Sequence, residues 1–407
     1  MQLTDSIETR FLQGLDAARG ARLGLAVSGG GDSMALLHLA VAAGSAVSVA
    51  TVDHGLRAEA ADEAAMVARA CAALGVPHTV LHWRWDGRGN LPDAARRGRI
   101  AALAGWAAGQ GIGTVCLGHT RDDVAETLLM RRDRSAGVDG LAAMQPLRQV
   151  GAIRFLRPLL AVGRAELRDW LSARGILWAE DATNTDDAYA RARARKEIAA
   201  TGGAEGLAAI AQGYATLRAA LDACAAGWVA RGVGIDRGDV LVAPDLLADA
   251  GPEALRRILQ AALLYIASAE YGPRGAALTR LVATARAGRP AVLGGCVARP
   301  VKGGLRLTRE WRAVAPTSVP AGQVWDGRWQ VTGPEIKGLT LRALGPAGLA
   351  LCPHWRETGL PRASLLSSPA VWAGADLVAA PLACPDPAWQ ARPLPPAGLL
   401  RHAALSH

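Results

Sequence analysis

A short stretch near the start of the chain, residues 28–33, has the residue types of a phosphate-binding loop. Between an apolar run and an amphipathic segment it reads Ser28, Gly29, Gly30, Gly31, Asp32 and Ser33. Glycines let the backbone pass close to an anion, while free amides and the positive end of a following helix attract it. A tight turn is the alternative for a bare glycine cluster. No Gly-Lys-Ser/Thr follows the glycines at the required spacing, so the common P-loop is excluded and we expect a phosphate loop of another class.

A second set of reactive groups lies at residues 121–131, where three carboxylates are closely spaced. As a helix, this segment places Asp122 and Asp123 in the first turn and Glu126 one turn later on the same side. One interpretation is N-capping with a solvated acidic face. The other is binding of a cationic substrate or Mg²⁺, because the acids follow a strand end beside the phosphate loop. Both interpretations stay open at this point.

Strand and helix patterns alternate along the first half of the chain. After a short helix within 1–20, the pattern predicts strands over 23–27, 46–52, 78–83 and 114–117, and helices over 34–40, 58–74, 93–110 and 121–131. This alternation predicts an α/β fold with a doubly wound parallel sheet, whose ligands bind beyond the carboxyl ends of its strands. The loop at 28–33, Asp53-His54 and Gly118-His119-Thr120 all follow strands, so we expect them to converge on one crevice.

The chain of 407 residues is strongly basic, with a formal net charge of +9 and a pI of about 9.8. A protein of this charge often binds a polyanion, and nucleic acid is the first candidate. Biased composition is the alternative source of the charge, because all but three of the 45 basic residues are arginine. The length predicts two or three domains with a large buried core.

Six cysteines lie at least 32 residues apart, and none forms a Cys-x-x-Cys pair. A zinc knuckle or a locally ligated iron-sulfur cluster is therefore not indicated. The start of the chain lacks a secretory pattern, and scattered thiols are typical of a reducing cytoplasm. The uncharged segment 33–52 contains His38 and a break at Gly44-Ser45, which argues against a membrane span. We expect a cytoplasmic protein without membrane contact.

Further segments in the first half carry a family resemblance. In chain order they are Ser28 to Ser33, Val52 to Arg57, Gly89-Asn90-Leu91 with Ala94-Ala95-Arg96, Leu117 to Thr120 with Asp122-Asp123 and Ala125-Glu126-Thr127, Arg157 to Leu160, Glu180-Asp181 with Asn184, and Arg191, Arg193 and Arg195. In this order they resemble the motifs of tRNA(Ile)-lysidine synthetases, which are PP-loop ATP pyrophosphatases. The resemblance covers about residues 20–200.

Two segments depart from the family pattern. Residues 134–137 read Arg-Ser-Ala-Gly where the family usually shows Arg-Gly-Ser-Gly, and Ala182-Thr183 stands where Pro-Ser is common. The first departure removes no ionisable group, but it leaves open the path of a loop near the substrate.

The resemblance implies an ATP-dependent ligase that acts on the wobble cytidine of an isoleucine tRNA with a CAU anticodon. The carbonyl oxygen at ring position 2 would attack the α-phosphorus of ATP, giving adenylated tRNA and pyrophosphate. The ε-amine of L-lysine would then displace AMP and leave lysidine, which pairs with A, so that the tRNA decodes AUA. ATP and Mg²⁺ are the implied cofactors, and a homodimer is one option for the assembly.

The resemblance also implies roles for individual residues. Contacts to the nucleotide are expected from Ser28, Gly29, Gly30, Gly31, Asp32, Ser33, Asp53, His54, Gly118 and His119. For the two histidines a structural role is the alternative. Asp32 is the expected Mg²⁺ ligand, with a helix N-cap as the alternative. The expected catalytic residues are Asp32, Arg96, Asp122, Asp123 and Glu126. The acids at 122–126 would bind the amines of lysine. Arg96 would stabilise charge at phosphorus or bind the lysine carboxylate.

Contacts to the tRNA are expected from Arg134, Arg191, Arg193, Arg195 and Lys196. The alternative for the basic series is a solvated linker. On a helix the charges of residues 189–196 would spread around the surface, whereas on an extended segment they would line one side.

The second half of the chain carries no catalytic motif. Its pattern predicts helices over 206–232, 252–269 and 273–287, and strands over 235–242, 291–299 and 305–310. We divide the chain into a PP-loop catalytic domain at 1–200, a helical tRNA-binding region at 201–290 and a small β-rich tRNA-binding domain at 291–407. Six tryptophans of the last domain are interpreted as core residues, with stacking on unpaired bases as the alternative: Trp311, Trp325, Trp329, Trp355, Trp372 and Trp389.

Three other functions are less compatible with the sequence. A tRNA thiolase on the same ATP-activating fold needs cysteine pairs or a cluster, which the cysteine spacing argues against. A GMP synthetase subunit would lack the series at 52–57 and 119–127. A degenerate nucleotide-binding or RNA-binding protein is the non-enzyme alternative, and it is opposed by the intact Ser28, Asp32, Asp122, Asp123 and Glu126.

Overall fold

The computed structural model describes the chain apart from residues 1–5, 56–59, 86, 88–89, 143, 181–186, 270, 274, 335–336 and 407, and describes 187–189 and 405–406 by their backbone alone. The predicted motif residues that lie outside the described part are Leu56, Arg57, Gly89, Asp181, Ala182, Thr183 and Asn184. The chain divides into two compact units, 1–218 and 219–407, and each is described by itself. The predicted division at 200/201 and 290/291 stays a prediction.

The first unit contains a six-stranded sheet. Its helices and strands are α1 (Ile7–Gly14), β1 (Leu23–Ala26), α2 (Gly31–Ala42), β2 (Val47–Asp53), α3 (Ala60–Ala73), β3 (His78–His82), α4 (Leu91–Gly109), β4 (Thr114–Leu117), α5 (Arg121–Arg132), α6 (Val138–Leu141), β5 (Leu147–Val150), β6 (Ile153–Leu156), α7 (Arg164–Ser172) and α8 (Asp187–Ala200). The next helix, α9 (Ala204–Gly232), begins in this unit and continues past residue 218 into the second. The strand order is β3-β2-β1-β4-β6-β5, and every neighbouring pair is parallel except β5 with β6. The predicted doubly wound parallel sheet is confirmed, with one antiparallel edge strand that the sequence pattern did not predict.

The central strand β1 is buried over its whole length and has helices on both sides of the sheet. One face packs against α2 through residues such as Leu36 and Leu39, and the other packs against α4 through Leu103 and Ala107. Because α2 is apolar on nearly every side, it is a buried helix of the core. The uncharged segment 33–52 thus forms α2 and β2, and in the part of the chain that the structure describes no helix is long and apolar enough to cross a membrane.

The basic segment 189–196 is helical, which settles the choice that its sequence left open. It belongs to α8, which packs on α5 through Ala194 and Ile198 against Ala125 and Leu129. The basic side chains therefore point in several directions around a helix and do not line one side of an extended strand.

The loop after α5 accommodates the departure from the family pattern at residues 134–137. Ser135 has a φ of 53°, in the left-handed region. Its N–H donates to the carbonyl of Arg132 at 2.8 Å, and the N–H of Ala136 donates to the carbonyl of Arg131 at 3.0 Å. These two bonds form a Schellman motif, whose left-handed position is usually glycine. The serine therefore keeps the loop geometry at a conformational cost.

Replacing Ser135 by glycine tests the conformational cost of its left-handed backbone. We expect Ser135→Gly to raise the free energy of unfolding by about 0.5–1 kcal/mol, because relief of left-handed strain exceeds the entropy that glycine loses. The thermal midpoint should rise by about 1–3 °C. The control is Ser172→Gly, at an exposed residue at the end of α7 with helical backbone, where glycine should lower the midpoint. A fall of the midpoint in Ser135→Gly would show that the loop is not strained.

Among its described residues, the second unit contains three sheets. Its helices and strands are β7 (Val233–Asp236), β8 (Asp239–Val242), α10 (Pro244–Asp249), α11 (Pro252–Ala267), α12 (Gly275–Arg286), β9 (Ala291–Leu293), β10 (Cys296–Val301), β11 (Gly304–Arg309), α13 (Trp311–Val314), β12 (Ser318–Pro320), β13 (Trp329–Thr332), β14 (Thr340–Ala343), α14 (Gly345–Ala350), α15 (Arg362–Leu366), β15 (Pro369–Ala373), β16 (Asp376–Ala379), β17 (Gln390–Pro393) and β18 (Ala404–Ser406). The strand orders are β18-β7-β8-β11-β10-β9, β12-β14-β15-β16 and β13-β17. The first of these sheets takes strands from both sides of residue 290, so its hydrogen bonds do not follow the predicted boundary there.

The single strand predicted over 235–242 is wrong. The segment is the second half of β7, a two-residue turn and β8, which pair antiparallel. Arg237 and Gly238 at the turn both have positive φ, 45° and 85°, as a tight hairpin turn requires. The apolar pattern on both sides of the turn concealed this break.

The tryptophans of the second unit lie in its core. Trp325, Trp329, Trp372 and Trp389 are buried within two apolar clusters, and Trp311 and Trp355 pack against one of them as partly buried residues. The interpretation of these residues as core is confirmed for the four buried rings.

Candidate active site

The predicted phosphate loop connects β1 to α2 and is closed by its own hydrogen bonds. The hydroxyl of Ser33 donates to the carbonyl of Gly30 at 2.8 Å and accepts from the N–H of Ser28 at 3.1 Å. Gly29 has a φ of 94°, and its carbonyl accepts from the N–H of Ala179 at 2.9 Å. Within the described part of the chain no side chain caps the start of α2, so the positive end of this buried helix is available to an anion.

The end of β4 approaches this loop closely. A Cβ added to Gly118 would lie 3.0 Å from the backbone oxygen of Asp32, tighter than most side-chain contacts. A glycine at this strand end therefore lets β4 bring His119 beside the start of α2. The predicted convergence of these two segments is a result of sheet order, since β1 and β4 are neighbours.

A cavity of about 370 Å³ lies where these segments meet. It is lined by Ala26, Ser28, Gly30, Gly31, Asp32, Ser33, Arg99, Gly118, His119, Asp123, Arg164, Arg168, Ala179 and Arg195. Most of the predicted nucleotide contacts are among these residues. Gly29, Asp53 and His54 are not among them. A carboxylate oxygen of Asp53 accepts from the N–H of Gly55 at 2.8 Å, and the ring of His54 stands edge-on to Trp83.

The predicted acids converge on Arg164, at the start of α7. Its Nε donates to Asp32 Oδ2 at 3.0 Å, its Nη2 to Asp123 Oδ1 at 3.0 Å and its Nη1 to Glu126 Oε1 at 2.9 Å. Its backbone N–H donates to Asp122 Oδ2 at 2.7 Å. One arginine thus holds all four carboxylates that the sequence assigned to catalysis.

The three acids of α5 differ in what else they contact. Asp123 caps its helix, because its Oδ2 accepts from the backbone N–H of Thr120 at 2.8 Å and from its hydroxyl at 2.9 Å. Glu126 is buried, with 3% of its side chain exposed, and its Oε1 also accepts from Arg195 Nε at 2.8 Å. The N-capping interpretation describes Asp123, while Glu126 is no part of a solvated acidic face.

Asp32 has the features of a ligand for a cation. Its Oδ1 is buried and has no hydrogen-bond partner, whereas Oδ2 is paired with Arg164. Burial raises the pKa of Asp32 above its usual value, although Arg164 opposes that shift. A buried acceptor without a partner is costly unless an ion or a ligand supplies one. Among the described residues, no three His, Cys, Asp or Glu side chains are grouped to hold a metal by themselves. One carboxylate combined with substrate phosphates is a usual way to bind Mg²⁺, so Asp32 fits this ion.

His119 is a neutral hydrogen-bond donor. Its Nδ1 lies 3.2 Å from Arg157 Nε, which can only donate, so Nδ1 accepts and the ring proton is on Nε2. Burial lowers the pKa of His119 to about 4, against a raising effect of Asp123. Burial also lowers the pKa of Arg157 to about 10, with Arg96 and Arg148 adding to the effect. The site therefore presents an N–H at this strand end at neutral pH.

Sequence reasoning missed Arg99, Arg164 and Arg168, all of which line the cavity. Arg99 stands one turn after the predicted Arg96, which is exposed and does not line the cavity. The motif Arg157 to Leu160 marks the approach to α7, but Arg164 meets Asp32 across 132 positions of sequence. No spacing rule applied to one sequence could have found that contact.

The predicted tRNA contacts divide into two groups. Arg134, Arg191, Arg193 and Lys196 are exposed. Arg195 instead lines the cavity and pairs with Glu126. The structure thus places this residue at the acids, although it also remains 60% exposed.

Comparisons with known proteins agree with the fold and the site. Residues 3–201 match the model of the PP-loop domain. The matched residues include the glycine loop between β1 and α2 and the acids of α5 that face it. The site is therefore that of a PP-loop protein.

Three curated relatives narrow this class. The chain is 49% identical to the tRNA(Ile)-lysidine synthase of Ruegeria pomeroyi, with 91% of this chain and 90% of the relative covered. The protein of the same name from Novosphingobium aromaticivorans is 40% identical, with coverages of 73% and 91%, and that from Mesorhizobium japonicum is 37% identical, with coverages of 95% and 90%. The chain belongs to the tRNA(Ile)-lysidine synthase family, as its motifs predicted.

The depressed pKa of His119 predicts a pH dependence of stability. The unfolded state takes up a proton below the ordinary pKa of 6.5, while the folded state stays neutral down to about 4. Stability should therefore fall as the pH is lowered from 7 to 5, by about 2 kcal/mol from this group. Urea unfolding at both pH values measures it, and His119→Gln, which keeps an N–H donor, should remove this part of the loss. Equal losses in the two proteins would contradict the assignment. His38 and His78 also have lowered pKa values through burial, and they cancel in the comparison.

Proposed function

We propose that the cavity beside the loop at 28–33 carries out the ATP-dependent ligation of L-lysine to the wobble cytidine of tRNA(Ile) with a CAU anticodon. The observation that supports it most is the joining of a phosphate loop to four carboxylates around one arginine. An enzyme that binds both a triphosphate and the two amines of lysine needs cationic and anionic groups in one place. The product, lysidine, would let the tRNA decode AUA.

In the first step the tRNA attacks ATP. The loop and the start of α2 would hold the leaving phosphates, and Asp32, whose Oδ1 has no other partner, would hold a Mg²⁺ ion that supplies positive charge to them. His119 Nε2–H and Arg99 face the same cavity and stabilise negative charge that develops at the α-phosphorus. Arg96, one turn from Arg99, adds positive charge nearby. Catalysis in this step is positioning and electrostatic stabilisation, since no covalent enzyme intermediate is needed.

In the second step the ε-amine of lysine displaces AMP. The amine must lose a proton before it attacks, and the acids of α5 are the acceptors at hand. Glu126 is the strongest candidate, because it is buried and faces the same arginine as Asp32. Asp122 and Asp123 keep α7 and α5 in place and add negative charge for the second amine.

The exposed basic residues are proposed as contacts to the tRNA. Arg191, Arg193 and Lys196 lie on α8, which packs against α5 through apolar residues, and Arg134 follows the end of α5. Phosphate contacts by these side chains would make tRNA binding strongly dependent on salt. Asp53 and His54, at the end of the neighbouring strand β2, are proposed to contact the nucleotide outside the lining of the cavity. A cytoplasmic location and a homodimer belong to the same proposal.

The cysteines oppose the thiolase alternative. In the first unit Cys71 and Cys116 are buried and free, and burial raises the pKa values of these thiols to about 11 and about 12. Such thiols are protonated at neutral pH and do not act as nucleophiles.

The reaction is tested by incubating the purified chain with tRNA(Ile) of CAU anticodon, labelled lysine, ATP and Mg²⁺. Lysine in the tRNA together with an equal amount of pyrophosphate is the expected result. The matched control is the same tRNA with its wobble cytidine replaced by uridine, which should take up no lysine. Pyrophosphate without lysine in the tRNA would refute the proposed nucleophile.

Asp32→Asn is expected to lower pyrophosphate release by about 10³-fold or more, because the amide cannot bind Mg²⁺ as the carboxylate does. The variant should fold normally, since an amide can still accept the hydrogen bond from Arg164. Pyrophosphate release measured without lysine reports this step alone. A normal rate of release would remove Asp32 from the first step.

Glu126→Gln is expected to separate the two steps. Adenylation should persist, because Glu126 is buried and is not among the residues that line the cavity beside the phosphate loop. Lysine transfer should fall by about 10²–10⁴-fold through loss of a proton acceptor. Rapid-quench analysis of pyrophosphate and lysine incorporation gives both rates. Unchanged lysine incorporation would exclude Glu126 as the base.

A further inference from the structure

Arg164 is the one residue that connects the phosphate loop to the acids of α5 among the described contacts of the site. Its three guanidinium nitrogens contact three different carboxylates, on Asp32 of α2 and on Asp123 and Glu126 of α5. Its own side chain is only 18% exposed. Burial lowers the pKa of Arg164, but the effects of Asp123, Asp32 and Glu126 outweigh it and raise that pKa above its usual range. The cation is therefore permanent at every pH at which the protein folds.

The position of this cation is fixed by its backbone. Arg164 is the first residue of α7, and its N–H is held by Asp122 Oδ2. Glu166, two residues later, accepts from the N–H of Gly163 and from Arg121, which anchors the same helix start to α5. The guanidinium thus approaches the acids from a helix terminus that is tied down on two sides.

A permanent cation at this position reduces the repulsion between the carboxylates of the site and the triphosphate of ATP. The triphosphate of ATP must bind beside Asp32, whose neighbours are Asp122, Asp123 and Glu126, and like charges at this spacing repel strongly. Arg195, the other arginine at Glu126, reaches none of the other acids in the described contacts and is 60% exposed, so it cannot balance the cluster.

We propose that Arg164 is a positioning residue that neutralises the acid cluster for ATP and holds Asp32 and Glu126 at the spacing that the two steps need. The proposal rests on the proposed function for its substrates. The planar fork of arginine is required, because a lysine ammonium at this point could not span three carboxylates on two helices.

The activity test uses Arg164→Ala, with pyrophosphate release in the presence of tRNA and the absence of lysine as readout. The value of kcat/KM for ATP should fall by about 10²–10³-fold, the effect of leaving buried acids without their partner. Methylguanidinium at millimolar concentration should raise the rate about tenfold by filling the space, and the uncharged isostere methylurea should not. Arg164→Lys should stay impaired although it keeps the charge. A purely structural role would give no rescue by the small cation.

The matched control is Arg174→Ala. Arg174 follows the other end of α7, is 45% exposed and pairs with Glu8, away from the cavity. Its loss should leave kcat/KM for ATP unchanged. If Arg174→Ala and Arg164→Ala have equal effects, the loss reflects destabilised α7 packing and the proposal fails.

A second measurement does not depend on the reaction. Mn²⁺ binding to the nucleotide-free protein, followed by electron paramagnetic resonance, should tighten about tenfold in Arg164→Ala, because three carboxylates lose their internal cation. Adding Asp32→Asn to that variant should reverse the gain. Tighter Mn²⁺ binding in Arg164→Ala, together with a wild-type chain that makes no lysidine, would support the role of Arg164 and refute the proposed function. Normal lysidine synthesis and unchanged Mn²⁺ binding in Arg164→Ala would overturn the proposal and leave the function intact.

Discussion

Repulsion between like charges is the constraint on which this site depends. Four carboxylates lie beside a loop built for phosphates, and two unit charges 4 Å apart interact by about 4 kcal/mol at an effective dielectric of 20. Arg164 relieves the repulsion by contacting Asp32, Asp123 and Glu126 with its guanidinium and Asp122 with its backbone. The fold positions these groups. The neighbouring strands β1 and β4 place the loop and the acids at the same edge of the sheet, and α7 begins with Arg164.

Other groups that line the cavity favour negative charge, in contrast to the carboxylates. His119 keeps a proton on Nε2 because Arg157 occupies Nδ1, and Arg99 adds a cation. These groups suit negative charge that develops at a phosphorus atom, while the acid cluster suits a cationic amine. Ligation of an amine to an adenylated base needs both environments within one cavity, and this requirement explains why acids and arginines are interleaved here.

Features of the protein that follow from local sequence pattern could be predicted from the sequence, and features that depend on long-range contacts could not. The loop at 28–33 and the doubly wound sheet follow from glycine spacing and from alternating apolar runs. Arg164 and Arg99 could not be singled out, because their meaning comes from long-range contacts and the chain is rich in arginine. The hairpin at Arg237 was missed because its flanks share one apolar pattern. The basic residues at 189–196 were predicted to contact tRNA as one series, but in the helix that they form Arg195 contacts Glu126.

In the proposed reaction one cavity activates tRNA with ATP before lysine displaces AMP. Single-turnover incubation of the chain with α-³²P-labelled ATP, Mg²⁺ and tRNA(Ile) of CAU anticodon, without lysine, tests it most directly. The expected result is labelled AMP attached to the tRNA, and release of that AMP when lysine is added. Absence of labelled tRNA, or label that lysine does not release, would contradict the two-step chemistry assigned to this site.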